Sequence, residues 1–316
     1  MLSGLSRAVF SMLAGSTVAK MLATRYGLRH PHSVARRFVA GASLEEALDA
    51  ARALEQQGLT VTIDRLGESV TEREAASSAT RAIMALVRAQ AAAGLSRNVS
   101  VKLTQLGLEI DRSTAIDNLR RVLDVAAQVD GFVRIDMEGS EYTDVTLDAF
   151  ESLWNIGCRN LGVVIQAYLR RSEGDLRRVM AAGARVRLVK GAYLEPKEIA
   201  LQGEAEIEAE FIRLMRILLA EGHYPAIATH DPDAIAETQR FAASRGLAKD
   251  AFEFQFLYGI RRDLQAELVQ AGHPVRIYVP YGDDWFPYFM RRLAERPENV
   301  AFVLRGIFGE AKAPTA

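Results

Sequence analysis

The sequence predicts an α/β fold, a closed (βα)8 TIM-like barrel preceded by N-terminal helices. After residue 58, short β-rich runs alternate eight times with longer amphipathic segments, the pattern of a parallel sheet covered by helices. Polar and apolar residues alternate within several of these runs, which indicates two differently solvated strand faces. The alternative is an open doubly wound sheet, but no G-x-G-x-x-G run follows the first strand.

The elements follow in order along the chain. Residues 1–58 are predicted to be helical, with capping-box spacing from Ser43 to Glu46 and a helix-ending glycine at Gly58. The predicted strands are 59–64, 99–104, 132–137, 162–167, 186–190, 226–230, 252–257 and 275–279. The predicted helices after them are 71–93, 113–129, 145–157, 174–183, 204–221, 232–245, 262–271 and 285–296. We expect an N-terminal helical segment (1–58) packed on the barrel, a catalytic barrel (59–305) and a tail (306–316).

Composition excludes several classes of function. Thirty-nine basic residues balance 40 acidic ones, so the basic excess of a nucleic-acid surface is absent. The single cysteine, Cys158, excludes an intrachain disulfide and a cysteine metal cluster and predicts a cytoplasmic protein. No apolar run is long enough to predict a membrane-spanning helix. Residues 1–44 contain no acidic residue, which leaves open a helix on the inner membrane face, an organellar presequence or a helix packed on the domain.

The alternation within the strands predicts a polar barrel interior. Strands buried on both faces of a parallel sheet are usually apolar throughout. Here Arg134, Asp136 and Glu138 share one face, and the residues between them are apolar. The apolar face must pack against the helices, so the polar face lines the interior. Buried charges need partners or a polar ligand, and we therefore expect the barrel to be built around a large polar ligand.

The active site of a (βα)8 enzyme lies at the carboxyl ends of the strands. The polar side chains at these ends are Asp64, Lys102, Asp136, Gln166, Lys190, Thr229, His230, Gln255 and Tyr278. Metal catalysis fits poorly, because only one of five histidines is at a strand end and no carboxylate pair joins it. A Schiff-base lysine at Lys102 or Lys190 remains open. The cationic lining favours an anionic ligand: a phosphate, a carboxylate or a reduced flavin.

The last predicted helix carries a second group of polar residues. Tyr288 precedes Arg291 and Arg292 by three and four residues, so the three side chains share one helix face. On spacing alone, adjacent arginines are usually a solvated surface. Two guanidinium groups opposite a third cation such as Lys102 would, however, bind a small carboxylate well.

Eight runs follow one another along the chain, most of them at the predicted strand ends: SVKLTQLGLEID, RIDMEGSEYTD, VVIQAYLRR, RVRLVKGAYLEP, ATHDP, EFQFLYGI, RIYVPYG and YFMRRLAERPEN. In this order and at matching strand ends, they resemble the proline dehydrogenase family. The resemblance covers residues from about 36 to 305. The conjunction of the eight runs is highly specific, although no single run identifies the family.

The resemblance implies a binding site for proline. The family's clamp on the proline carboxylate matches Lys102, Arg291 and Arg292. The two aromatic walls of the pyrrolidine ring match Tyr278 and Tyr288, and an apolar lining position matches Leu257. An aspartate that orders the site and pairs with cations matches Asp136. A glutamate that pairs with the first clamp arginine when substrate is bound matches Glu68, which we expect to act as a gate.

The resemblance also implies a binding site for FAD. The arginine near flavin N5 matches Arg187, and we expect Arg187 and Asp136 to be catalytic. The other matching FAD contacts are Met137 (through its backbone), Gln166, Lys190, Gly191, Ala192, Thr229 and His230. Three of these residues have ordinary alternatives: Arg187 as a structural partner of Asp136, His230 as a neutral histidine bonded to the backbone, and Gly191 as a residue that supplies a turn. No histidine or cysteine lies in a flavin-attachment context, so we expect FAD to bind non-covalently.

The implied reaction removes hydride from carbon 5 of L-proline to FAD and gives Δ1-pyrroline-5-carboxylate, the first step of proline catabolism to glutamate. We expect a membrane quinone as electron acceptor. Because no aldehyde dehydrogenase domain follows the barrel, we expect a separate pyrroline-5-carboxylate dehydrogenase to act on the product. Two other functions stay open: a flavin-dependent barrel similar to methylenetetrahydrofolate reductase, and a Schiff-base aldolase.

Overall fold

Eight parallel strands close into a barrel in the computed structural model, which describes Leu28 and residues 33–294. The strands are β1 Thr60–Arg65, β2 Asn98–Val101, β3 Phe132–Ile135, β4 Leu161–Gln166, β5 Arg185–Val189, β6 Ala226–Ala228, β7 Glu253–Leu257 and β8 Val275–Tyr281. Each pairs with its neighbour in sequence, and β8 pairs with β1 to close the barrel. The predicted fold class is confirmed.

Nine α-helices surround or cover the barrel within the described residues. They are α1 Leu44–Glu55, α2 Arg73–Ala92, α3 Arg112–Ala127, α4 Thr143–Asn155, α5 Ser172–Ala181, α6 Glu204–Glu221, α7 Pro232–Ser244, α8 Arg262–Gln270 and α9 Trp285–Ala294. Helix α1 packs outside β1 and β8. The final helix α9 packs against Leu66, which directly follows β1, and therefore lies over the carboxyl end of the barrel. None of the described helices has the length and apolarity needed to cross a membrane.

Buried apolar residues form three clusters in the described part of the chain, and the two largest serve different parts of the fold. The larger cluster joins the apolar strand faces to the inner faces of the surrounding helices, as the alternation predicts. The smaller one, which we call the roof cluster, consists of Leu28, Ala35, Phe38, Val39, Leu66, Trp285, Phe286, Tyr288, Phe289 and Met290. Within it the ring of Phe289 lies 6.1 Å from that of Phe38 and 5.6 Å from that of Trp285. The roof cluster thus holds α9 above the barrel.

Several predicted boundaries are wrong at the ends of the strands. Strands β2, β3, β5 and β6 end one to three residues earlier than predicted, so that Lys102, Asp136, Lys190 and His230 lie in the loops that follow them. At β2 the reason is local, because the backbone N–H of Leu106 bonds to the carbonyl of Lys102 and turns the chain away from the sheet. These four side chains therefore project from the loops at the rim, whereas Asp64, Arg187 and Tyr278 stand on strands.

The N-terminal prediction is confirmed only in part. The capping box of Ser43 and Glu46 is present at α1, and Gly58 has the left-handed φ of +79°. Before α1 the described chain forms a short 3-10 helix, Val34–Arg37, and residues 38–43 are not helical. The acid-free segment up to residue 27, residues 29–32 and the predicted tail 306–316 lie outside the described residues.

Candidate active site

Four polar side chains meet at the carboxyl ends of β1, β2, β3 and β8, and we call them the polar centre: Asp64, Lys102, Asp136 and Tyr278. The Tyr278 hydroxyl oxygen lies 2.6 Å from Asp64 Oδ2 and 2.8 Å from Asp136 Oδ2. Lys102 Nζ donates to Asp64 Oδ2 at 3.1 Å and lies 3.8 Å from Asp136 Oδ2. Asp64, Lys102 and Asp136 are buried. The two carboxylates are thus held together by one ammonium group and one phenol.

The electrostatics of the polar centre follow from this burial. Burial raises the pKa of Asp64 and the charge of Asp136 adds to the rise, although Lys102 and Tyr278 oppose it. Burial alone would lower the pKa of Lys102, but the charges of Asp64 and Asp136 outweigh it and hold the pKa above its ordinary value. Burial and the same two carboxylates raise the pKa of Tyr278. The two carboxylates therefore favour the charged form of Lys102, which disfavours a Schiff-base role because that role needs a neutral amine.

Arg187 connects the polar centre to the interior of the barrel. Its Nη1 donates to Asp136 Oδ1 at 2.8 Å, its Nε to Gln255 Oε1 at 2.6 Å and its Nη2 to Ser100 Oγ at 3.1 Å. Its guanidinium carbon lies 5.4 Å from the centre of the Tyr278 ring, within the range of a cation–π contact. The pairing of Arg187 with Asp136 considered from the sequence is therefore present.

A cavity of about 90 Å³ opens between the polar centre and α9. It is lined by Leu66, Gly67, Glu68, Lys102, Asp284, Pro287, Tyr288 and Arg291. Arg291 forms a bidentate ion pair with Glu68, with Nη1–Oε1 and Nη2–Oε2 distances of 2.7 and 3.0 Å. Burial would lower the pKa of Arg291, but Glu68 outweighs it and raises the pKa. The structure thus brings the predicted gate residue, two members of the predicted clamp and one predicted aromatic wall to one cavity.

The third clamp residue lies beside this cavity. The guanidinium carbon of Arg292 is 5.3 Å from the centre of the Tyr288 ring, as the helical spacing predicts. Leu257, the predicted apolar lining residue, lies at the end of β7, and its backbone N–H donates to His230 Nε2 at 3.0 Å. The backbone-bonded histidine considered from the sequence is therefore present, with Nε2 as an acceptor.

The remaining residues with predicted FAD contacts lie at the ends of β3 to β6. Gln166 donates from Nε2 to the backbone carbonyl of Glu138 at 2.9 Å. Met137, the residue before Glu138, is buried. Thr229 is also buried, and its hydroxyl oxygen accepts from the backbone N–H of Asp231 at 3.2 Å. Ala192, by contrast, is exposed.

Lys190 and Gly191 show how the loop after β5 is held. Lys190 Nζ donates to Glu208 and, at 3.1 Å, to Asp231. A phosphate or other anionic ligand that bound Lys190 would therefore compete with these two carboxylates for its ammonium group. Burial would lower the pKa of Lys190, but these two partners raise it. Gly191 has a φ of +122°, and a Cβ there would lie 2.2 Å from the Tyr168 ring. Only glycine fits at this position.

The sequence missed three residues of the site. Asp64 was recognised as a strand end but given no role, although the polar centre is built around it. Tyr193, in the loop after β5, lies within electrostatic reach of Arg291 and Lys102, and burial raises its pKa to about 12. Glu138 accepts from Thr104 Oγ1 at 2.5 Å and links the loops after β2 and β3. The polar alternation of β1 and β3 was a signal for Asp64 and Glu138, whereas Tyr193 has no such pattern.

Comparisons with known proteins agree with this geometry. A family model described as proline dehydrogenase matches residues 47–305. The chain is 42% identical over 279 residues to a proline dehydrogenase of Deinococcus radiodurans, covering 87% of this chain and 90% of that protein. It is also 42% identical over 309 residues to proline dehydrogenase 1 of Bacillus subtilis, covering 95% of this chain and 98% of the relative.

The solved structures give the same relationship at greater distance. The crystal structure of proline utilization A from Bdellovibrio bacteriovorus, inactivated by N-propargylglycine, superposes with a TM-score of 0.79 at 29% identity. The match covers 88% of this chain but only 34% of that longer protein. Within the described residues, no group of three acidic, histidine or cysteine side chains is arranged to hold a metal ion. By its sequence over most of its length, and by its fold, this chain belongs to the proline dehydrogenase family.

Proposed function

We propose that the protein oxidises L-proline at carbon 5 to Δ1-pyrroline-5-carboxylate, with non-covalently bound FAD as the hydride acceptor. The observation that carries the proposal is the position of Lys102 and Arg291 on one small cavity, directly above the polar centre. Two cations on one cavity suit a small carboxylate. Burial of the polar centre suits a substrate that is held away from water.

The clamp would hold the substrate carboxylate at the α9 side of the cavity. Arg291 and Lys102 line the cavity, and Arg292 lies next to it against Tyr288. Tyr288, which lines the cavity, and Tyr278, in the polar centre below it, would then form the walls against the saturated ring. A ring bound in this way has one orientation, and orientation supplies much of the rate in such a reaction.

The residues at the strand ends suit FAD in the chemistry of their donors. Arg187 and Lys190 are cationic, Gln166 is a buried amide, and Gly191 allows a close backbone approach. When bound, FAD would supply the hydride acceptor. Arg187 would place a positive charge beside it, which stabilises negative charge that develops there. The matching backbone of Met137 and the side chains of Thr229 and His230 would complete the binding site.

The site also separates this proposal from the other two functions. Lys102 is held as a cation by Asp64 and Asp136, and an aldolase lysine must be neutral to attack a carbonyl. A barrel similar to methylenetetrahydrofolate reductase does not require a carboxylate clamp from the final helix. We further propose a membrane quinone as electron acceptor, with the protein peripheral at the inner face of the membrane, and a separate pyrroline-5-carboxylate dehydrogenase for the product.

The experiment is an anaerobic titration of the purified protein, followed by its absorption spectrum. We expect flavin bands that bleach with L-proline and not with D-proline, and a product that forms the coloured adduct of cyclic imines with o-aminobenzaldehyde. Acid precipitation should release the yellow cofactor into the supernatant, because the binding is non-covalent. A protein that remains colourless after incubation with FAD, or flavin bands that L-proline leaves unchanged, would refute the proposal.

A further inference from the structure

A chain of buried hydrogen bonds runs from Arg187 toward the amino ends of the strands. Arg187 Nε donates to Gln255 Oε1 at 2.6 Å, and Gln255 Nε2 donates to Glu253 Oε1 at 2.5 Å. Glu253 in turn accepts from Arg276, whose Nε and Nη2 each lie 3.0 Å from one of its oxygens. Gln255 and Glu253 are both 3% exposed. Neither touches the cavity under α9, so the carboxylate clamp does not involve them.

The chemistry of the two ends allows only one orientation of the Gln255 amide. Arg187 can only donate, so Gln255 must present its oxygen to it. Burial would raise the pKa of Glu253, but Arg276 outweighs it and lowers the pKa, so Glu253 is ionised and can only accept. The amide nitrogen of Gln255 must therefore face Glu253. The carboxylate thus determines which end of the amide reaches Arg187.

Three side chains accept hydrogen bonds from Arg187. Asp136 accepts from Nη1 and Ser100 from Nη2, and among the residues that the structure describes Gln255 is the one acceptor for Nε. Without the Gln255 oxygen, the Nε–H of Arg187 would be a buried donor with no acceptor. The guanidinium group would then be free to rotate about its contact with Asp136, which would neutralise more of its charge.

We infer that Gln255 is a positioning residue for Arg187, and that Glu253, held by Arg276, acts through Gln255. The inference rests on the proposed function, in which Arg187 presents its charge to FAD. Gln255 keeps that charge aimed at the cofactor rather than at Asp136. The effect should therefore appear in the reduction potential of bound FAD and in the rate of hydride transfer, but not in the affinity of the carboxylate clamp for substrate.

The test uses Gln255→Leu and Glu253→Gln, with Gln90→Leu as matched control. Gln90 is another fully buried glutamine whose Nε2 donates to backbone carbonyls in and before β2, far from Arg187 in the hydrogen-bond network. In Gln255→Leu the rate of flavin reduction by proline should fall about tenfold to a hundredfold, the range for breaking a hydrogen bond to a charged group. The KM for proline should change by less than about twofold, because the clamp is intact.

Two further measurements do not depend on turnover. The reduction potential of FAD bound to Gln255→Leu should become more negative, by about 30 mV for each tenfold change in the relative stability of its two oxidation states. In the protein as purified, solvent exchange of the Arg187 Nε–H, followed by NMR, should become at least about tenfold faster. Glu253→Gln should shift both quantities in the same direction, because a neutral side chain no longer determines the orientation of the Gln255 amide.

The outcomes separate this inference from the proposed function. If wild-type protein is not reduced by proline but Arg187 exchange accelerates in the variants, the proposed function fails and the positioning role stands. If wild-type protein is reduced by proline and Gln255→Leu keeps its potential and its Arg187 exchange rate, the positioning role is wrong. Equal changes in the Gln90→Leu control would also overturn it, because they would reflect general loosening of the barrel. Should Gln255→Leu fail to fold, the near-isosteric Glu253→Gln decides alone.

Discussion

The ion pair between Glu68 and Arg291 gives the sharpest quantitative prediction. The pair joins the loop after β1 to helix α9 across the mouth of the cavity, with two hydrogen bonds of 2.7 and 3.0 Å. We expect Glu68→Ala to raise the KM for proline modestly and Arg291→Ala to raise it much more, because Arg291 also belongs to the proposed carboxylate clamp. If the pair acts as a gate, the two losses should not add.

The magnitude follows from the exposure of the pair. The side chains of Arg291 and Glu68 are 25% and 30% exposed, so they lie between the surface and the interior. Fully exposed pairs contribute about 0.2–1 kcal/mol, whereas two charges about 4 Å apart at an effective dielectric constant of about 20 attract by about 4 kcal/mol before desolvation. We expect a coupling free energy of about 1–2 kcal/mol in kcat/KM for this bidentate pair. That coupling corresponds to about a fivefold to thirtyfold effect.

The assay is a double-mutant cycle of wild type, Glu68→Ala, Arg291→Ala and the double variant, using kcat/KM for L-proline. The matched control is Glu151→Ala, because Glu151 forms a bidentate pair with Arg178 of similar exposure on the outer helices. The control should leave kcat/KM unchanged. A coupling below about 0.5 kcal/mol would refute the gate, since it would mean that Arg291 binds substrate independently of Glu68.

Three further predictions concern the proposed aromatic wall Tyr278, Gly191 in the loop after β5, and Asp64 in the polar centre. Tyr278→Ser should shift the ratio of kcat/KM toward 4-hydroxyproline, mainly by losing activity on proline; an unchanged ratio leaves Tyr278 a packing residue. Gly191→Ala should lower the FAD content of the purified protein, because the new methyl group collides with the Tyr168 ring; full occupancy contradicts this. The pKa of Asp64 is raised in the folded protein, so the folded state binds this proton more tightly than the unfolded state does. The stability that the bound proton contributes is present below the ordinary pKa of 3.8 and is lost as pH rises through the raised value. Urea unfolding from pH 4 to 8 should show less of this decline in Asp64→Asn, and identical slopes refute it.

The fold could be predicted because its pattern is local. Alternation such as that of Arg134 and Asp136 with Val133 and Ile135 indicates which strand face is polar, and eight repeats of strand and helix indicate a barrel. The strand ends could not be predicted, because they depend on loop bonds such as the one from Leu106 to Lys102. The polar–apolar alternation continues through this turn, from Lys102 to Thr104, so it does not mark the residue at which the strand ends.

The sequence names individual residues of the candidate site but not the network of contacts that joins them. The sequence identified Lys102, Tyr278 and Asp136, yet it gave Asp64 no role. Asp64 contacts Lys102, 38 residues away, and Tyr278, 214 residues away. No local pattern reports contacts over such separations, and only the closed barrel brings β1 and β8 together.

The division of the apolar core has a consequence for how ligands enter. The roof cluster carries Tyr288 and packs separately from the cluster that holds the barrel together. Its chain is tied to the strand ends by a few backbone bonds, among them those from Ala40 to Pro280 and from Leu66 to Tyr281. Segments of this kind open at a lower free energy than the strands beneath them. We therefore expect the roof cluster to open at a lower free energy than the barrel, so that a large cofactor such as the proposed FAD could enter while all eight strands stay paired.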